Sequence, residues 1–260
     1  MLALANIGRV LFAISIIFFG AQYFIFGHYA GGLPPVPPWA PGGAIGAYVS
    51  GMILVFCSLG LAAKWQVPSC GTFLGFFCLL CVLLLHTQRL SDIIHNGNDR
   101  TRCFEALALC GAAFMLAGDF PAAEANDAFH AFIAEKLVPF GRWLFGISLV
   151  VFGVQHFMYG PFVASLIPGW IPEHLFFAYF TGAGFIAAGI AIAAKVLARL
   201  GAMLLGVMFL FWALFLHAPR IAMKLHSGDE WTSGVIALAM CGAAFYIAAT
   251  MDGAKTRTAT

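Results

Sequence analysis

The chain has 260 residues, 62% of them hydrophobic and only 9% charged, with 13 Lys/Arg against 11 Asp/Glu. Soluble domains carry about a quarter charged residues, so a water-covered globule is excluded, as are collagen, a disordered chain and a disulfide-rich secreted scaffold. The near-neutral balance and the lack of a Lys/Arg block leave nothing suited to a nucleic-acid backbone.

The N-terminal MLALANIGR has no basic n-region and runs into a long apolar stretch, so it reads as the start of a first span rather than a cleaved signal. Residues 10–63 carry no charge, too long a run for one span. GHYAGGLPPVPPWAPGG at 27–43 divides it, because dense Pro and Gly cannot continue a helix. Spans are therefore expected near 5–27 and 43–63. The charge-free run 65–88 predicts a third near 68–87, and a shorter one, bearing Glu105 near its start, is expected near 101–118. An acidic linker, 119–138, follows, whose second half is expected to form a short interfacial helix. Further spans are predicted near 139–159, 174–195, 199–217 and 232–251. A helix of about 20 residues crosses about 30 Å of hydrocarbon. The fold expected is all-α, a polytopic membrane protein of eight transmembrane helices.

An internal repeat organises these spans. GRVLFAISIIFFGAQYFIFG at 8–27 matches GRWLFGISLVVFGVQHFMYG at 141–160, and VPPWAP at 36–41 matches IPGWIP at 167–172. LAAK ending at Lys64 matches IAAK ending at Lys195, LLLHTQR ending at Arg89 matches LFLHAPR ending at Arg220, and LALCGAAF at 107–114 matches LAMCGAAF at 238–245. Matches recurring in order mark a duplicated unit, here 1–118 and 139–260. Four spans per unit is an even number, so both units enter the membrane from the same side, a parallel rather than an inverted repeat. With the N-terminus inside, the inner side holds Arg9, Lys64, Lys136, Arg142, Lys195, Arg199, Lys255 and Arg257, and the outer side Arg89, Arg100, Arg102, Arg220 and Lys224. The excess favours cytoplasmic termini.

Parity then gathers four features of each unit at the outer surface. The first span ends in Gln22-Tyr23 or Gln155-His156; the loop after it carries Trp39 or Trp170 between prolines; the third span ends in His86 with Arg89, or His217 with Arg220. His donates or accepts hydrogen bonds and takes a proton near neutral pH, Arg holds anionic groups, and Trp suits an interface. Such a set suits a quinone or a lipid headgroup, and equally suits snorkelling ends and anchoring rings. Gln22 and Gln155 need partners on neighbouring helices, since an unpaired amide in hydrocarbon is costly. Glu105 is expected to pair with Arg102 or Arg89, and Ile236 stands at its matched position. No metal-binding motif occurs. The seven cysteines are an odd set mostly inside apolar spans, with Cys78 and Cys81 three apart on one helix face rather than in a redox loop, and are expected to pack as small hydrophobes.

The GR…LFxxSxxxFGxQxF…PxWxP pattern, read twice along the chain, resembles the DoxX/DoxD-like membrane proteins, whose unit is a four-helix membrane domain. The resemblance implies a bacterial inner-membrane protein. It also implies an accessory or anchoring role in a quinone-linked redox system, such as thiosulfate:quinone oxidoreductase or a terminal oxidase. It carries no catalytic residue onto this chain, which departs from the simplest pattern by its tandem duplication. Without a soluble redox domain, any flavin, haem or metal would come from an oxidoreductase partner. The rival expectations are a transporter of a small molecule or ion and a purely structural membrane partner; oligomeric state is left open.

Overall fold

The computed structural model describes residues 1–29, 35–121 and 127–251, and these are helical apart from short connections. The helices are α1 (Leu2–Phe26), α2 (Gly43–Ala62), α3 (Val67–Leu84), α4 (Leu90–His95), α5 (Gly97–Ala117), α6 (Ala128–Phe132), α7 (Val138–Met158), α8 (Gly160–Leu166), α9 (His174–Ala194), α10 (Ala198–Phe211), α11 (Ala218–Met223) and α12 (Gly228–Thr250). Among the described residues, seven helical stretches are long and apolar enough to cross a membrane: α1, α2, Val67–His95, Ala128–Met158, α9, Ala198–Met223 and α12. The chain is thus an all-helical, multi-pass membrane protein. Large apolar side chains point outward on many of these helices, among them Ile45, Phe56, Phe176 and Phe180. Such side chains are at home against lipid, where water would penalise them.

α5 is 21 residues long and differs in composition, with Asp99, Arg100, Arg102 and Glu105 in its first turns. Beyond them it is enclosed: every residue from 108 to 117 is buried, and so is every residue from 239 to 248 on α12. Both stretches are built mainly from Ala, Gly and Cys with a few large residues. Small side chains let neighbouring helices approach from all sides.

The neighbours run in a closed order. α1 packs on α2, α2 on α3, α3 on α5, α5 on α7, α7 on α9, α9 on α10, α10 on α12 and α12 on α1, while α5 also touches α12. The first helix of each repeated sequence thus lies against the last helix of the other. Glycine sets these approaches. A Cβ on Gly8 would lie 2.5 Å from the Gly242 carbonyl, and one on Gly111 would lie 2.5 Å from the Gly141 carbonyl. One apolar core runs continuously through the side chains of both sets.

The α2–α3 turn reverses the chain with Lys64 at φ 57° and Gln66 at φ 49°, and the α9–α10 turn does so with Lys195 at φ 59° and Leu197 at φ 53°. A side chain in the left-handed region costs about 1–2 kcal/mol. Gln66 is exposed, so Gln66→Gly is expected to be neutral or to raise stability by up to about 1 kcal/mol, as read from unfolding in mixed micelles.

Arg9 is 3% exposed on α1 and donates to Asp119, just after α5, at 3.0 Å. Arg142, its match on α7, is also buried and donates to the Ala193 carbonyl of α9. At the start of the second set, Asp127 caps α6 by accepting from the Phe129 and His130 backbone N–H groups. The chain then continues through a π-helical turn, Ile133–Leu137, directly into α7, so the end of the linker and the span form one helical stretch.

Candidate functional site

The sequence pattern LLLHTQR/LFLHAPR folds differently in its two occurrences. After α3 it forms a tight 3-10 turn, His86–Arg89, leading to α4. After α10 it opens into a π-helical turn, Trp212–His217. Pro219, where the first occurrence has Gln88, is a sufficient reason: it has no N–H for the Phe215 carbonyl, and its ring would strike that carbonyl in a regular α-helix. Wide turns of this kind recur at functional sites.

This turn walls a cavity of about 440 Å³. Its apolar lining includes Phe152, Phe185, Phe209 and Trp212, and its polar lining includes Thr101, Glu105, Gln155, His156, Tyr159 and His217. Asn96 and Asn98, both exposed, lie at its mouth. The rings brace one another: His156 stacks on Trp212 at 5.9 Å and 14°, and Phe185 meets both edge-on.

The polar groups are held by identifiable bonds. Gln155 Nε2 donates to the Gly97 carbonyl at 2.9 Å and to Thr101 Oγ1 at 3.1 Å, which ties the end of α7 to the start of α5 and supplies the partners its amide needs. Arg100 donates to the Tyr159 hydroxyl at 2.9 Å across the same junction. Glu105 pairs through Oε2 with Arg102 at 3.5 Å, one of the two partners expected. His156 Nδ1 lies 2.8 Å from the Phe152 carbonyl, which can only accept, so Nδ1 carries the proton. His217 Nδ1 is buried and has no hydrogen-bond partner among the described residues.

Of the residues singled out from sequence, the structure brings Gln155, His156 and His217 together in this cavity. The others lie elsewhere. Arg220 binds Glu230 with two prongs, at 2.9 Å through Nε and 3.1 Å through a terminal nitrogen, and so ties α11 to α12. Lys224 reaches the same carboxylate at 3.4 Å. Trp170 is 70% exposed and meets the edge of Phe215. Trp39 lies under the Arg89 guanidinium, 4.7 Å from ring centroid, a cation–π pair that pins its loop. Gln22 is buried on α1. His86 is buried and its Nε2 donates to the Pro35 carbonyl at 3.2 Å.

The two occurrences therefore part company. Near α1 and α3 the chain's own loop is drawn inward: Val36 is 2% exposed, and its carbonyl accepts from the Tyr23 hydroxyl at 3.4 Å. Tyr23 and His86 match His156 and His217 in the repeat, so the positions that face a cavity in one set hold a loop in the other. The aromatic wall, Phe185, Phe209 and Trp212, lies outside the residues that the sequence motifs single out. The signal was present in the repeat itself, where Cys78 and Cys81 stand in place of Phe209 and Trp212. Small thiols leave room for a loop; large rings build a wall.

No protein-family model, curated protein or solved structure matches the chain.

Proposed function

We propose that this chain is a DoxX/DoxD-like protein of eight spans in two four-helix units, acting as a membrane-embedded accessory subunit of a quinone-linked redox system. The ligand sits between the second unit and the first turns of α5. The observation that carries the reading is the cavity itself: an aromatic wall facing a small set of polar groups, within it a histidine whose buried nitrogen has no hydrogen-bond partner among the described residues. Its volume falls in the range of about 300–1,000 Å³ usual for small-molecule sites. A flat, apolar ring bearing oxygen substituents matches that lining, with Trp212 and the phenylalanines against its faces and His217 beside an oxygen. A quinone would bring two-electron redox chemistry; this chain's residues would bind and orient it, and exclude water. An oxidoreductase partner would supply or take the electrons.

The eighth span is α5. Its enclosed half supports a membrane-embedded position, and its charged first turns sit where Arg100 meets Tyr159 beside the cavity mouth. The same reading places both termini on the cytoplasmic side of a bacterial inner membrane and the cavity toward the outer side.

The test is binding of decylubiquinone to the purified protein in detergent. One molecule per chain is expected, with affinity lowered at least about tenfold in His217→Ala, the loss of one hydrogen bond to a buried ligand. His86→Ala, whose ring is engaged by Pro35, is expected to leave the affinity unchanged. Equal affinity of wild type and His217→Ala would remove the site assignment. Solute accumulation by proteoliposomes containing this chain alone would favour a transporter instead.

A further inference from the structure

The two matched positions that face the cavity differ from their counterparts in hydrogen-bond direction. In the first set both groups donate: Tyr23 through its hydroxyl to the Val36 carbonyl, and His86 through Nε2 to the Pro35 carbonyl. The loop they hold presents carbonyls, and the fit is one of donors to acceptors. In the second set His156 replaces Tyr23. Its Nδ1–H is spent on the Phe152 carbonyl, so Nε2 is a lone pair with no partner among the described residues, on a ring that lines the cavity. Glu105 adds an acceptor, because its pairing with Arg102 uses Oε2 only. Both Gln155 amide hydrogens are engaged by Gly97 and Thr101. His217 and the Tyr159 hydroxyl can serve in either sense.

We infer that this cavity selects a ligand that donates a hydrogen bond from a ring hydroxyl, so that within the quinone-linked reading it holds the reduced, quinol form in preference to the quinone. The hydroxyl hydrogen goes to His156 Nε2, with the ring laid against the Trp212 wall. A carbonyl in the same place would set its lone pairs against the imidazole lone pair, and a buried acceptor left facing another acceptor costs the desolvation of both. The inference rests on the cavity being the ligand site. It adds the direction of the bond and the residue that sets it.

The experiment compares 4-heptylphenol with its methyl ether, two probes that share the ring and the alkyl tail and of which only the phenol donates. Binding to the purified wild-type protein is measured by equilibrium dialysis in detergent, alongside decylubiquinol and decylubiquinone under matched anaerobic conditions. The phenol is expected to bind about tenfold more tightly than the ether, and the quinol more tightly than the quinone by a similar factor. His156→Phe keeps the stack on Trp212 and removes the lone pair, and is expected to erase both differences. His156→Tyr puts a donor there, as in the first set, and is expected to reverse the quinol preference. The wild-type comparison stands whether or not either variant folds. Equal binding of phenol and ether, or tighter binding of quinone than quinol, overturns the inference while leaving the cavity a ligand site. Failure of all four probes to bind overturns the quinone-linked reading along with it.

Discussion

Gly242→Val is expected to destabilise the protein by about 3 kcal/mol or more, the upper range for overpacking a closed interior. A Cβ at Gly242 would lie 2.5 Å from the Phe12 backbone nitrogen and 2.6 Å from the Gly8 carbonyl. Both obstacles are main chain of α1, so no rotamer change relieves the clash, and α1 and α12 must separate as rigid bodies. The same contact recurs between α5 and α7, where a Cβ on Gly141 would meet the Gly111 carbonyl at 2.5 Å, and Gly111→Val is expected to behave alike. Gly184 is the control. Nothing lies within 4 Å of a Cβ added there, and Gly184→Ala is expected to be neutral or to stabilise by about 0.5–1 kcal/mol through helix propensity. Unfolding in mixed micelles, followed by circular dichroism, measures all three. A Gly242→Val protein as stable as wild type would show that α1 and α12 do not meet as described.

The second large effect concerns Arg9 and Asp119. Asp119→Asn is expected to cost about 2 kcal/mol. That is less than the 3–5 kcal/mol of a fully buried pair broken on one side, because Asp119 is partly open to solvent while Arg9 is not. The loss arises chiefly from leaving the Arg9 guanidinium enclosed and uncompensated. The Arg9→Met, Asp119→Asn double variant is therefore expected to be more stable than Asp119→Asn alone. A double variant less stable than either single one would mean that Arg9 acts through packing rather than charge. The comparison also reports on topology, since the pair joins the beginning of α1 to the end of α5.

Much of this is legible in the sequence. Charge-free runs bounded by Pro, Gly and isolated Lys or Arg placed the helices, and the helices lie there, because hydrocarbon leaves a backbone no alternative to internal hydrogen bonding. The need of Gln155 for a partner on another helix was readable from its apolar surroundings, as was the pairing of Glu105 with Arg102 from their spacing. The Arg9–Asp119 pair was not, since Asp119 reads as part of an acidic linker and 110 residues separate the two.

The site was legible only in part, for a related reason. Matched motifs imply equivalent sites, and on that footing His86 and His217, or Arg89 and Arg220, carry equal weight. Packing decides between them. Cys78 and Cys81 share one core with Tyr23 and the buried Val36, whereas Phe209 and Trp212, at the matched positions, line the cavity. The arginines are then taken up by Trp39 in one case and Glu230 in the other.

What the sequence determines by itself is set by solvent: 9% charge and a series of long apolar stretches require a lipid-facing helical protein. What the tertiary structure decides is which copy of a shared motif is left facing a cavity. That depends on side-chain volume and hydrogen-bond direction among residues distant in sequence, Trp212 against His156 and Gln155 against Thr101. Neither composition nor periodicity records those relations.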